Sequence, residues 1–244
     1  MTTGLQTHLE IGAVIFPNMD QCDCTGPFEV LSRLSDSTFH IAWKRREPVR
    51  DCHGLILTPE VSLAECPQLD LLVVPGGHGQ EALMEDEEVL SFIRDQSRGA
   101  KYVFSVCTGA LLCGAAGLLM GVKATTHWSA FHLLEYYGAI PTDARVVEDG
   151  KMVSAAGVTA GFDGALVIAS RLRGEDAARE IQLSMEYAPE PPFESGSPKT
   201  AKPETLEAAR RSASQITMTR LTTARRIAAK LGVYEVGSQI ASVQ

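Results

Sequence analysis

The sequence predicts an α/β fold: a doubly wound, mostly parallel sheet with helices on both faces. Three observations lead there. Residues 9–16 (LEIGAVIF), 69–74 (LDLLVV) and 102–106 (YVFSV) are short, compact apolar runs, the pattern of strands buried on both faces of a parallel sheet. Each is followed by a turn and then by apolar residues at helical spacing, an alternation that lays crossover helices on the sheet. The 244 residues, 45% hydrophobic and 21% charged, show no composition break before about residue 188, which suits one large domain over residues 1–187. Residues 188–244 then form a connector and a carboxyl-terminal helix, expected to pack on that domain or on a partner subunit.

Composition narrows the function classes. No run of about 18 apolar residues is present, and the start MTTGLQTHLE lacks the basic and apolar regions of a signal peptide, so a cytoplasmic protein without a membrane role is expected. Six scattered cysteines are too few for a disulfide framework and should stay reduced. Cys22 and Cys24 stand one residue apart with no second pair or nearby histidine, so zinc is not expected. A net charge of -8 argues against nucleic-acid binding.

In chain order, residues 9–16 form the first central strand, closed by Pro17. Residues 18–25 read as a polar loop, and Gly26-Pro27 as the opening of a helix over residues 28–34. Residues 39–43 and 55–58 are short strands to one side, separated by a charged turn over residues 44–51. After the strand at 69–74 comes the glycine-rich turn Pro75-Gly76-Gly77-His78-Gly79, then an amphipathic outer helix over 86–96. Beyond the strand at 102–106 and an apolar helix over 111–119, a short strand at 123–126 leads to a helix over 129–137. Residues 145–148 and 152–155 flank Asp149-Gly150 as a hairpin, and 157–163 turn into an apolar helix through 169. A helix over 174–187, a Pro/Ser/Gly-rich connector over 188–203 and a basic, Ala-rich helix over 204–231 complete the chain. The last reads as a docking or solvated face.

Cys107 is the residue around which a site would be built. At a strand-to-helix junction its side chain is thrust from the carboxyl edge of the sheet, beside the unpaired N–H groups of the next helix. That surrounding can lower a thiol's pKa and make it nucleophilic. A small buried cysteine filling a tight turn explains the pattern equally well. Asp23, after the first strand, is either a site carboxylate or a helix cap next to Thr25. The Gly76-Gly77 turn can offer N–H groups to developing negative charge, although most such turns are only turns. His78 is expected to face solvent, His127 to be a hydrogen-bonded structural histidine, and Asp163 to be a buried anchor for a neighbouring loop.

Asp23-Cys24-Thr25-Gly26-Pro27, Pro75-Gly76-Gly77, Ser105-Val106-Cys107-Thr108-Gly109, Thr125-Thr126-His127-Trp128 and Gly157-Val158-Thr159-Ala160-Gly161 together resemble the ThiJ/PfpI superfamily, over residues 10–185. The resemblance implies a glutamine-amidotransferase-like fold with a nucleophile elbow at Cys107. Tyr187-Ala188-Pro189, Pro191-Pro192-Phe193 and Gly196-Ser197-Pro198 extend it toward the isocyanide (isonitrile) hydratases. AraC-like regulators share the core motifs but need about a hundred further residues for two helix-turn-helix units, and 57 follow Tyr187. Protease-like and glyoxalase-like members usually carry histidine after the cysteine, where this chain has Thr108, and many use glutamate where it has Asp23.

The resemblance implies hydration of an isocyanide to an N-substituted formamide, with no metal or organic cofactor, in a homodimer. Cys107 would be the nucleophile, Asp23 the proton donor, and Gly77, Thr108 and Gly157 positioning residues. Thr108 would also hold Asp23, and Gly157 would let the following helix shift. A glyoxalase, deglycase or protease-like enzyme and a sensor working through Cys107 oxidation are the alternatives.

Overall fold

The computed structural model describes residues 7–233. Residues 1–6 and 234–244, which carry part of the amino-terminal reading and the end of the 188–244 segment, lie outside the described residues. The strands are β1 (Leu9–Val14), β2 (Ser37–Trp43), β3 (Val49–Arg50), β4 (Ile56–Leu57), β5 (Val61–Ser62), β6 (Leu71–Val74), β7 (Tyr102–Val106), β8 (Lys123–Ala124), β9 (Ile140–Pro141), β10 (Val146–Asp149) and β11 (Met152–Ala155). The helices are α1 (Cys22–Leu31), α2 (Gln80–Leu83), α3 (Glu87–Gly99), α4 (Gly109–Ala115), α5 (Ala160–Arg173), α6 (Glu175–Ser184) and α7 (Pro203–Leu231), with a 3-10 helix at Trp128–Tyr137.

Seven strands form the main sheet in the order β10-β11-β7-β6-β1-β2-β5. All neighbours pair in parallel except β10 and β11, the antiparallel hairpin at the edge that Asp149-Gly150 announces. β6 and β7 are buried along almost their whole length because helices cover both faces: α1, α5 and α6 pack together on one, and α2, α3, α4, the 3-10 helix and α7 on the other. From β1 the chain moves first to β2 and β5, then returns to β6 on the opposite side. Such reversals leave a crevice beyond the carboxyl ends of the strands, where ligands of doubly wound sheets bind. The loops leaving β1, β6 and β7 meet there. Among the described residues no helix is long and apolar enough to cross a membrane.

Two local readings are corrected. The helix expected over 28–34 begins at Cys22, so Asp23 lies in the first turn of α1 and not in a loop, and Pro27 sits inside the helix. The Thr25 hydroxyl donates to Gln21 Oε1 (2.7 Å), and the N–H groups of Asp23 and Cys24 reach Asp20 and Gln21 carbonyls, so the chain coils before the proline arrives. The segment over 44–51, read as a turn, contributes β3, which pairs with β4 as a ribbon separate from the main sheet.

Close approach at the junction of β6, β7 and α4 requires a glycine. A Cβ on Gly109 would collide with the Val74 carbonyl oxygen and press on that of Pro75, both backbone atoms that cannot swing aside. Gly109→Ala should therefore destabilise the protein by roughly 1–3 kcal/mol, the range for overpacking a filled core, and more if the elbow cannot shift. Thermal denaturation checks this. An unchanged melting temperature would mean that the junction is looser than its contacts indicate.

Candidate active site

Cys107 follows the last residue of β7 and adopts φ +55°, a left-handed conformation that costs a non-glycine residue about 1–3 kcal/mol. The surroundings hold it there. Its N–H donates to the Ala155 carbonyl (3.1 Å) on β11, and its own carbonyl accepts from the Thr126 hydroxyl (2.7 Å). The strained elbow aims the thiol into the crevice, and the side chain is nonetheless buried. Ser154 fixes the neighbouring segment by accepting from the Thr125 N–H (2.9 Å).

Asp23 comes to the same place from α1 and is fully buried. Its Oδ2 accepts from the Gly76 N–H (2.9 Å), so the glycine-rich turn after β6 holds the carboxylate. Asp23 is therefore not a helix cap. Its Oδ1 is buried without a conventional hydrogen-bond partner, and the Cys107 thiol interacts with the same carboxylate. Burial, followed by the charge of Asp20, pushes Asp23 up to about 8, against the opposing pull of the Gly76 N–H and the thiol. Burial, followed by the charge of Asp23, also pushes the Cys107 thiol well above its ordinary value; the Thr108 N–H and the Arg220 charge work the other way. The expectation of a depressed thiol pKa is thus reversed in the resting protein. The helix-terminal N–H is present, but loss of solvent and the neighbouring carboxylate outweigh it, and the pair stays protonated near neutrality.

The positions of Gly77, Thr108 and Gly157 also revise the expected contacts. The Gly77 N–H donates to the Thr108 hydroxyl oxygen (3.1 Å), so it is spent on positioning Thr108 and acts at one remove from the sulfur. For the same reason the Thr108 hydroxyl does not hold Asp23; the Gly76 N–H does. The Thr108 N–H is the backbone donor that favours a thiolate on Cys107. Gly157 precedes α5 beside His127, where an added Cβ would lie 3.5 Å from the imidazole Cδ2, an ordinary contact.

His127 borders the site. Its Nδ1 pairs with the Ser129 hydroxyl (2.8 Å), while burial, and then the Arg220 charge, lower its pKa. His78 is exposed. Asp163 is only half-buried; it pairs with Arg145 and accepts from the Tyr187 hydroxyl (3.0 Å), anchoring the start of the connector as expected of it.

Four residues reach this region that sequence reasoning passed over. Arg220 of α7, a helix read as a docking or solvated face, donates through Nη2 to the Gly77 carbonyl (2.6 Å) and the Thr108 hydroxyl (3.3 Å). Asp20 acts on both Asp23 and Cys107 through its charge. Cys52, with His53, brings ligand-type atoms within 4.8 Å of those of Asp20, a donor set able to hold a metal. Cys52-His53 was visible as an adjacent pair in the sequence, but its distance from Asp20 is set by the β3–β4 ribbon.

The sequence signature of the DJ-1/PfpI family matches residues 10–171. A protein named isonitrile hydratase from Pseudomonas putida is 49% identical over 225 residues, spanning 92% of this chain and 99% of that protein. The crystal structure of a ThiJ/PfpI family protein from Pseudomonas syringae superposes with TM-score 0.88 at 39% identity, over 90% of this chain and 91% of that one. Drosophila melanogaster DJ-1beta shares the fold, with TM-score 0.66 and 22% identity, over 75% of this chain and 100% of its own.

Because Asp23 has a folded-state pKa above its unfolded value, its contribution to stability is fully present below about pH 4 and is lost as pH rises through about 8. Asp23→Asn removes that loss while keeping an oxygen for the Gly76 N–H. The variant should gain stability relative to the parent from pH 4 to 8, by a few kcal/mol at most (order of magnitude). Melting curves that run parallel for the two proteins across that range would contradict the raised pKa.

Proposed function

The chain belongs to the DJ-1/PfpI family, and from that premise we propose that it hydrates isocyanides to N-substituted formamides, with Cys107 as nucleophile and Asp23 as proton donor. The reading is carried by a buried thiol–carboxyl pair that stays protonated near neutrality, in a chain 49% identical over nearly its whole length to an isonitrile hydratase.

An isocyanide carbon takes a nucleophile and a proton at the same atom. The pair fits this demand. Cys107 sulfur bonds to the carbon while Asp23 gives its proton to that carbon and takes up the proton that leaves the thiol, producing a thioimidate, R–N=CH–S–Cys107. Water then adds: its oxygen bonds to the carbon, one proton goes to nitrogen, and the other returns to the pair through Asp23 acting as base. Breaking the carbon–sulfur bond releases R–NH–CHO and restores the starting enzyme. Substrate plus water equals product, so no metal or organic cofactor is called for.

Positioning falls to the elbow and the loops. The Thr108 N–H stabilises negative charge on sulfur, with Gly77 fixing Thr108 and Gly76 fixing Asp23. Gly157 gives α5 room to shift when the charge on sulfur is lost; an added Cβ there would lie in ordinary contact with His127. Thr108 in place of a histidine favours hydration over protease-like or glyoxalase-like chemistry. Part of the same reading are a cytoplasmic homodimer and the absence of nucleic-acid or membrane partners. Light scattering should find the dimer, and a monomer at micromolar concentration would contradict that part.

Purified protein mixed with small alkyl and aryl isocyanides should release the corresponding formamides, and Cys107→Ala should lose turnover by at least about 10³-fold while remaining folded. Activity requires the proton held by the pair, so kcat/KM should decline as pH rises above about 8. No formamide from any of several isocyanides would overturn the hydration reading. Turnover by Cys107→Ala would overturn the assigned nucleophile.

A further inference from the structure

Arg220 is 4% exposed, and among the described residues no carboxylate forms an ion pair with it. Its Nε is buried without a hydrogen-bond partner. A guanidinium deprived of water and hydrogen-bonded only to neutral groups, with the charge of Glu81 acting from beyond ion-pair distance, is costly to the fold, and a chain rarely keeps one without a compensating use. What Arg220 does hold is specific. Nη2 bridges the Gly77 carbonyl and the Thr108 hydroxyl, joining the turn after β6 to the residue that follows the nucleophile.

α7 is fixed over the site by contacts independent of that bridge. The Thr223 hydroxyl donates to Glu81 (2.6 Å), and Arg226 and Lys230 both pair with Glu85 (2.6 and 2.8 Å). Arg220 is thus delivered to the elbow by a helix already docked on α2 and its flank. It also lies beyond residue 171, where the match to the family signature ends.

We infer that Arg220 is a positioning residue of the reaction: it locks Thr108 against the turn after β6 and supplies the positive charge that faces Cys107 when the thiol gives up its proton. Several charged or titratable groups bear on the two partners. Glu81 of α2 and Tyr137 of the 3-10 helix face Arg220, as does His127, while Asp23 and Asp20 oppose ionisation of Cys107. Arg220 therefore counters the effect of the two carboxylates on the sulfur. In the reaction it matters most as the thiolate departs from the thioimidate's hydrate, when negative charge returns to sulfur next to an Asp23 that has just served as base. This role rests on the proposed hydration, but ionisation of the thiol can be read without it.

The test compares the parent with Arg220→Gln, which keeps a hydrogen-bond donor without the charge, and Arg220→Lys, which keeps the charge without the planar fork. Alkylation of Cys107 by iodoacetamide is followed by mass spectrometry as a function of pH, alongside kcat and KM for an isocyanide. For folded Arg220→Gln the alkylation midpoint should rise by about one pH unit. Its kcat should fall by roughly 10-fold to 100-fold, with KM within about 3-fold of the parent. Arg220→Lys should restore the midpoint but only part of kcat, because Thr108 is no longer clamped. An unchanged midpoint in Arg220→Gln overturns the inference. Should that variant fail to fold, Arg220→Lys decides: a parent-like midpoint with reduced kcat supports the role, and a raised midpoint or full kcat overturns it. If the parent makes no formamide, hydration fails, and the alkylation midpoints still decide the role of Arg220.

Discussion

The Asp23 carboxyl and the Cys107 thiol interact while both are buried from solvent, and the rest of the site follows from that constraint. In water the carboxyl would be ionised at neutrality. Burial above all, with the charges of Asp20 on Asp23 and of Asp23 on Cys107, keeps the pair protonated. A thiol in this condition is a poor general nucleophile but a matched reagent for a carbon that must receive sulfur and hydrogen together. The surrounding structure is arranged to hold the pair in this state. Gly76 donates to the carboxylate, Thr108 donates to the sulfur, and the elbow strain at Cys107 is contained by Ala155 and Thr126.

The fold makes this pairing from segments distant in the chain by placing the loops after β1, β6 and β7 at one edge. The parallel order brings the carboxyl ends of these strands side by side, and the reversal at β1 leaves the crevice open between them. Contacts between the loops are then short-range consequences. Gly109 lets α4 begin directly against the end of β6, and the Gly77 N–H reaches Thr108 across the same gap. Stability and site geometry are coupled here: a residue that loosened the junction would also misplace the thiol.

The legible parts of the sequence were those governed by local periodicity. The strand before Cys107 was read at its observed bounds because five apolar or small residues in sequence declare burial on both faces, and Asp149-Gly150 marked its hairpin. Gly26-Pro27 misled for an equally local reason: proline favours helix openings, yet here α1 had already coiled from Cys22 and carried the proline within it. The identity of Asp23 as a site residue came from resemblance, since nothing in its neighbours distinguishes it from a cap. Arg220 was hidden. Its contact with Thr108 joins residues 112 apart, and on its own helix it is one cation among several. The direction of the Cys107 pKa was misjudged because a helix terminus is visible in sequence, whereas the burial and the facing carboxylate that outweigh it are properties of the assembled fold.

The central claim is that sulfur bonds to the isocyanide carbon before water does. A thioimidate retains every substrate atom, whereas acyl transfer would first expel a leaving group, so mass alone separates the two. Intact-mass spectrometry on enzyme quenched in acid during steady turnover, followed by peptide mapping, should show a species heavier than the free protein by the whole mass of the isocyanide, located on Cys107. Formamide accumulating while Cys107 stays unmodified at every time point sampled, including under single-turnover conditions, would mean that water attacks the isocyanide directly, and would contradict the account.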